Sequence, residues 1–313
     1  MTQLKSFSPS GFQNAWDSTS LGSFAKCPRY YQLKHLEGWQ ADNKSPHLIF
    51  GGVYAAALEQ YFKHTAAGAS PDEALLRVIR SALIETWDHE RDGDGARLSG
   101  TGAAWESTHN TKNRDTLIRS IVWYFGFFSD DPTTTIQLTD GRPAVELSFS
   151  LPLSDEYLYC GHIDRLVSYG GDTFVMDQKT TGTTITAHYF RQFSPDIQMS
   201  GYSWAGKILF NLPISGVIID AAQIAVGFTR FERGFVHRSA PVLEEWHDNA
   251  LALIDEARRA HDSGVYRMNQ TACGNYGGCE FRDVCNRAPE HRNAVLHQGF
   301  HRAPRWDPLE RRN

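Results

Sequence analysis

No stretch of the 313-residue chain approaches the ~18 consecutive apolar residues that a helix needs to cross a bilayer, so a membrane-spanning helix is not expected. The first residues, Met1 to Ser10, hold neither a basic segment nor an apolar one, which argues against a secretory signal and for a cytoplasmic protein. Neither sign of charge is in large excess: 31 Lys and Arg stand against 36 Asp and Glu, a formal net charge of −5. Bulk attraction for phosphates is therefore missing, and any contact with nucleic acid has to come from a local positive patch. Cysteine is scarce, and its count of five is odd. That disfavours a disulfide framework and makes metal ligation the better reading of any cysteines that cluster. Internal repeats are absent as well. What the chain does have is 41% hydrophobic and 12% aromatic residues, ample for a packed globular core.

Apolar periodicity predicts helices over Ser18 to Leu36, Leu48 to Ala66, Ala74 to Trp87 and Asp115 to Phe128. Between the last two, Asp88 to Asn110 is rich in glycine and charge and reads as a loop or mobile insertion. From Ala144 the period falls to two, and strands follow at Val145 to Leu151, Tyr157 to Val167 and Thr173 to Lys179. A helix at Pro195 to Phe210, a strand at Ile214 to Val226 and an amphipathic helix at Val242 to His261 complete the pattern. The expected fold class is α/β, with the core order helix, three-stranded meander, helix, strand, plus added helices. One domain over 1–285 is expected: a helical N-terminal region over 1–143, a core over 144–230, and a C-terminal helix and cysteine loop over 240–285. Residues 286–313, with six Arg and few apolar side chains, read as a flexible solvated tail.

The strongest chemical signal is Gly161-His162-Ile163-Asp164-Arg165, then Gly170-Gly171, then Asp177-Gln178-Lys179. If the two glycines form a tight hairpin turn, Tyr169 pairs with Asp172, and counting outward sets Asp164 opposite Asp177. Directly opposed residues have β-carbons about 5 Å apart, and two like charges there destabilise the ladder. A divalent cation such as Mg²⁺ or Mn²⁺, shared by both carboxylates, supplies the missing positive charge. Lys179 shares the face of Asp177, where an ammonium can stabilise negative charge growing on a phosphate under attack. Glu146 on the preceding strand is a candidate third carboxylate.

These residues, together with Gln198 and Tyr202 spaced i and i+4 on the next helix, resemble the RecB/AddB-like branch of the PD-(D/E)XK nucleases. The resemblance implies a restriction-endonuclease-like core and a metal-dependent DNA nuclease, an exonuclease or single-strand nuclease. Its implied settings are recombination, repair, phage DNA processing or CRISPR spacer acquisition. It assigns Mg²⁺ or Mn²⁺ to Asp164, Asp177 and the Gln178 carbonyl, catalytic charge to Lys179, and shaping of the site and its DNA contact to Gln198 and Tyr202. DNA is the implied partner, with a helicase, recombinase or integrase as a separate chain. A rival reading is a catalytically weak DNA-binding or scaffold subunit of such an assembly. The run Gly201 to Ile208 mimics a phosphate-binding loop, but Lys207 lacks the following Ser or Thr and the run lies within a predicted helix.

Cys273, Cys279 and Cys285 are separated by five residues each, in a glycine-rich loop, and Cys27 stands far upstream before Pro28-Arg29-Tyr30. Four thiolates suit either tetrahedral zinc or an iron-sulfur cluster. The resemblance implies a 4Fe-4S cluster stapling the two ends of the chain, although the spacing from Cys273 to Cys279 is longer than in other members. Cys160, in a strand, reads as a buried thiol. The family also carries Gly-x-x-x-His on an early helix, the His being a metal ligand; in Phe50-Gly51-Gly52-Val53-Tyr54 that position is read at Tyr54, an accessory candidate.

Overall fold

A computed structural model describes residues 4–42, 45–86, 109–209, 213–274 and 278–310. The insertion read from Asp88 to Asn110 lies outside these residues except for His109 and Asn110. Helix α1 (Ser18–Lys26) starts at Asp17, whose carboxylate accepts the Ser20 amide while Ser20 caps back, a capping box. A single helix to Leu36 does not form. Cys27 is extended, and Pro28 begins a new turn, α2 (Pro28–Tyr31), that runs on into a π-helical turn at Gln32–Leu36.

Three helices, α3 (Pro46–Ala66), α4 (Pro71–Glu85) and α5 (Arg114–Phe127), cover one face of the sheet. Their core joins Phe50, Leu58, Val78, Leu117 and Tyr124 to Ala222, Ile224 and Phe231 of the strands. On the other face α6 (Ala187–Arg191) and α7 (Ile197–Leu209) cross between parallel strands, and α8 (Ala240–Ser263) packs on α7 and α1. Trp16, Leu21, Tyr159, Met199 and Ile254 are buried there, each such large side chain contributing about 1.5–3 kcal/mol.

The strands are β1 (Ala15–Trp16), β2 (Trp39–Ala41), β3 (Thr134–Thr135), β4 (Val145–Pro152), β5 (Leu158–Tyr169), β6 (Asp172–Thr181), β7 (Ile214–Ile224), β8 (Thr229–Val236) and β9 (Phe300–Arg302). The main sheet runs β1-β5-β6-β7-β8, with β3 and β4 also paired to β5. The β6–β7 pair is parallel and its neighbours β5–β6 and β7–β8 are antiparallel. Strand β8 is not foreseen in the sequence, because Arg230, Glu232 and Arg233 surround buried Phe231, and the next buried apolar side chain, Val236, lies five residues on and faces the other side of the sheet.

The C-terminal residues are not the loose tail their composition suggests. After α9 (Arg282–Cys285), helix α10 (Arg292–Gly299) leads into β9, which pairs with β2. Leu296 and Phe300 pack with Leu33, Trp39 and Phe281, so a few apolar residues anchor an otherwise charged segment. Among the described residues no helix is long and apolar enough to cross a membrane.

Candidate active site

Gly170 and Gly171, at φ 60° and 92°, form the two-residue turn between β5 and β6, the positive-φ pair that such a hairpin requires. Tyr169 pairs with Asp172 and the ladder runs back to Arg165 opposite Met176. The next rung carries Asp164 and Asp177. There the ladder pairing stops, and the Gln178 amide donates to Asp164 Oδ2 at 3.0 Å. Asp177 is 1% exposed. Burial, then the charge of Asp177, pushes Asp164 up to about 7. Burial also raises Asp177, against the pull of Lys179.

Lys179 Nζ lies 2.5 Å from Asp177 Oδ2 and donates to Gln198 Oε1 at 3.0 Å. Gln198 Nε2 in turn donates to the Tyr202 hydroxyl at 3.0 Å. Burial alone would lower the Lys179 pKa, but Asp177 and Asp164 hold it above its ordinary value, so it stays an ammonium. Burial, with the neighbouring carboxylates, keeps Tyr202 a phenol. The structure thus brings Asp164, Asp177, Lys179, Gln198 and Tyr202 into one connected group.

Glu146 joins them. On β4, Val145 pairs with Arg165 and Leu147 with Ile163, while the rung between, Glu146 with Asp164, is missing from the ladder. Glu146 is the described non-glycine residue with positive φ, at 50°, a conformation that costs free energy and tends to mark functional positions. Its carboxylate lines the same cavity as Asp164, beside His162 at 3.8 Å, and its charge adds to the upward push on Asp164.

The cavity, of roughly 450 Å³, is walled by the start of α1, by Gly52, Ala55, Ala56 and Glu59 of α3, by β4 and β5, and by Gln198 and Tyr202. Tyr54 is not in that wall, which corrects its reading as the histidine equivalent. It is 1% exposed in the core against Phe50 and Tyr124, and its electrostatic neighbours are Tyr124, Asp220 and Arg233 on the opposite face of the sheet. Successive helical residues are ~100° apart, so the step to Ala55 turns the side chain into the cavity. The fourth residue after Gly51 is also Ala55.

The sequence profile of the PD-(D/E)XK nuclease superfamily matches residues 16–286. The chain belongs to the PD-(D/E)XK nuclease superfamily. No curated protein sequence matches it. Among solved structures it is similar to a Eubacterium rectale protein proposed to be an exonuclease, with 15% identity, a TM-score of 0.47 and 89% of each chain covered. It is also similar to a protein named SSO0001, with 12% identity, a TM-score of 0.29, and 77% of this chain and 76% of that one covered.

PD-(D/E)XK nucleases work with a divalent metal, and the carboxylates fit one. Among the described residues, Asp177 Oδ2 is buried beside Lys179 yet receives no aligned hydrogen bond, and the Asp164 carboxylate accepts from the Gln178 amide. Two carboxylates and one ammonium leave a net negative charge inside the fold, which a hard cation would neutralise.

This nuclease has a second buried polar group that its sequence does not advertise. On the other face of the sheet Asp220 pairs with Arg233 at 3.3 Å, Arg233 with Asp131 at 2.6 Å, and Tyr124 donates to Asp220. Arg165 joins them, its guanidinium 3.8 Å from the Phe62 ring centre and bonded to Thr133. Two acids and two arginines balance there, so this group fastens α5 to β7 and β8. The pairing depends on long-range contacts that no local motif encodes.

No disulfide joins any of the five cysteines. Cys160 is buried and donates to the Trp16 carbonyl. Cys27 Sγ accepts the Asn269 amide at 3.4 Å, Cys273 Sγ donates to the Asn269 carbonyl at 3.7 Å, and the Cys279 amide donates to the Cys273 carbonyl at 3.0 Å. Burial raises Cys279 and Cys285, and each also feels Cys27 as a like charge, so the four thiols share one neighbourhood. Around them the chain ends are joined: Arg29 N–H donates to Arg267 O, and Lys34 pairs with Glu280 at 3.1 Å. Among the described residues no set of three or more His, Cys, Asp or Glu stands at metal-ligating spacing.

Proposed function

We propose that this superfamily member is a Mg²⁺- or Mn²⁺-dependent deoxyribonuclease of the RecB/AddB-like branch, acting as an exonuclease or single-strand nuclease. The observation that carries the reading is the rung of Asp164 and Asp177, with Lys179 between Asp177 and Gln198. Asp164, Asp177 and the Gln178 carbonyl would hold the cation, which supplies a Lewis acid and an activated water when bound. Lys179 holds a positive charge where the scissile phosphate gains negative charge, and its tie to Gln198 and Tyr202 fixes that charge in advance. Glu146 adds an anionic group on the cavity's β4 side.

The cavity is walled by strands, by α1, α3 and α7 and by Trp306, and a single strand is the proposed occupant. A 4Fe-4S cluster on Cys27, Cys273, Cys279 and Cys285 is the occupant that the resemblance implies at the joined chain ends. Soft thiolates in a set of four suit it, with zinc as the competing occupant. DNA is the proposed partner. Labelled linear single strands, linear duplexes and closed circular duplex, incubated with Mn²⁺, test the substrate class. The linear single strand is expected to be consumed first and the closed circle spared; closed circles cut as fast as linear single strands would contradict the reading.

A further inference from the structure

We infer that the C-terminal segment from Arg287 to Arg305 is a phosphate-binding track, which holds the backbone of a single DNA strand outside the nuclease cavity and leads it to the cavity wall. A chain with a net charge of −5 can attract phosphates only through a local positive patch. Residues 286–306 carry one: four arginines, Arg287, Arg292, Arg302 and Arg305, stand against a single acid, Glu290, a formal +3. Elsewhere Arg77, Arg142, Arg233 and Arg258 each face a carboxylate. Among the described residues none of the four C-terminal arginines does, and Arg287, Arg302 and Arg305 are exposed.

The segment holds its arginines in place. Arg292 Nε donates to the Arg287 carbonyl at 3.1 Å, which keeps the first two together. Trp39, buried on β2, carries the middle of the track: its ring centre lies 5.2 Å from that of His297 on α10 and 4.9 Å from the Arg302 guanidinium on β9. Arg305 Nε donates to the Leu36 carbonyl at 3.1 Å, and its guanidinium lies 4.6 Å from the Phe7 ring centre. A guanidinium resting on a ring loses little donor capacity, because its N–H groups lie in its own plane. One residue further, Trp306 Nε1–H donates to Asp17 Oδ2 at 3.2 Å, and Trp306 and Asp17 both line the cavity. The track therefore ends at the site.

A phosphate contact fixes where a strand lies and reads no sequence. The acids Asp164 and Asp177 repel a bare phosphate, so approach to the site has to be favoured from outside it. The family profile ends at residue 286, which puts the track outside the matched core. This inference rests on the nuclease reading above and names the surface that its substrate would cross.

The test measures binding, not turnover, with Ca²⁺ present in place of Mg²⁺ and with KCl varied. Fluorescence anisotropy of a labelled oligothymidylate compares four proteins: wild type, Arg302→Gln with Arg305→Gln, Arg302→Lys with Arg305→Lys, and Arg80→Gln, which removes an exposed arginine on α4. The doubly neutralised variant is expected to bind on the order of tenfold more weakly, and its slope of log affinity against log salt to be shallower by about 1.4, roughly 0.7 for each lost phosphate contact. The lysine pair keeps most of the slope, and Arg80→Gln matches wild type. A merely structural loss would weaken binding without moving the slope. An unchanged slope in the doubly neutralised variant, as large a loss of slope in the lysine pair or in Arg80→Gln, or no binding by wild type overturns the inference. Cleavage by a chain whose salt slope ignores these arginines leaves the nuclease reading standing and removes only this one. A slope that depends on them in a chain that cuts no DNA does the reverse.

Discussion

Asp164 and Asp177 occupy the first rung beyond the hydrogen-bonded pairs of β5 and β6, and the Gln178 amide is drawn onto Asp164 instead of a backbone carbonyl. Two buried acids therefore face each other with one ammonium to balance them. That relationship fixes both the metal dependence and the pH dependence expected of the protein.

Asp164 is pushed up to about 7 from an ordinary 3.8 by burial and by Asp177, so the metal-free fold binds this proton more tightly than the unfolded chain does. Its contribution to stability is full below about 3.8 and is lost as pH rises through about 7. The melting temperature of metal-free wild type should therefore fall relative to Asp164→Asn across that window, and Mn²⁺ should restore wild type alone. His35, pushed down to about 4 mainly by burial, acts in the opposite direction in both proteins and cancels in the comparison. Parallel melting curves for the two proteins at every pH would remove the coupled-acid account.

The link from Lys179 through Gln198 to Tyr202 positions a charge and does not itself react. Gln198→Ala is expected to lower the single-turnover cleavage rate about tenfold, ~1.4 kcal/mol, with little change in melting temperature. Tyr202→Phe keeps the ring and removes one acceptor, so its loss should be smaller. A Gln198→Ala enzyme that cuts at the wild-type rate would separate Gln198 from Lys179.

Positions 54 and 55 should behave oppositely. The Tyr54 hydroxyl is buried without a hydrogen-bond partner among the described residues, so Tyr54→Phe should raise stability by about 1 kcal/mol in chemical denaturation and leave cleavage intact. Ala55 lines the cavity, so Ala55→His adds a nitrogen donor there and should lower the Mn²⁺ concentration for half-maximal cleavage. Loss of cleavage in Tyr54→Phe would return the phenol to the site.

Anaerobically purified protein should be brown with about four iron atoms per chain, and Cys27→Ser should bleach it and lower the melting temperature. Stoichiometric zinc without iron would put a zinc site there instead.

The hairpin register and the acid–lysine group were legible in the sequence because they are local: two glycines fix the turn and the period of two does the rest. Strand β8, the Asp220–Arg233–Asp131 group and the packed segment through Trp306 were not, since each depends on partners roughly 90 or more residues away or on a few apolar anchors among many charges. Tyr54 failed for a different reason. One residue along a helix is a ~100° turn, and a motif read one place off assigns a core side chain to the site.

The central claim is that one metal-dependent site, centred on Asp164, Asp177 and Lys179, cuts DNA. End-labelled single strands incubated with Mn²⁺, with Mg²⁺ and with chelator, using wild type and Lys179→Ala, test it most directly. The expected result is cleavage by wild type with either metal, none with chelator, and a rate on the order of 100-fold lower in a Lys179→Ala protein that melts as a folded chain. Cleavage that persists in chelator, or that Lys179→Ala leaves at the wild-type rate, contradicts the account.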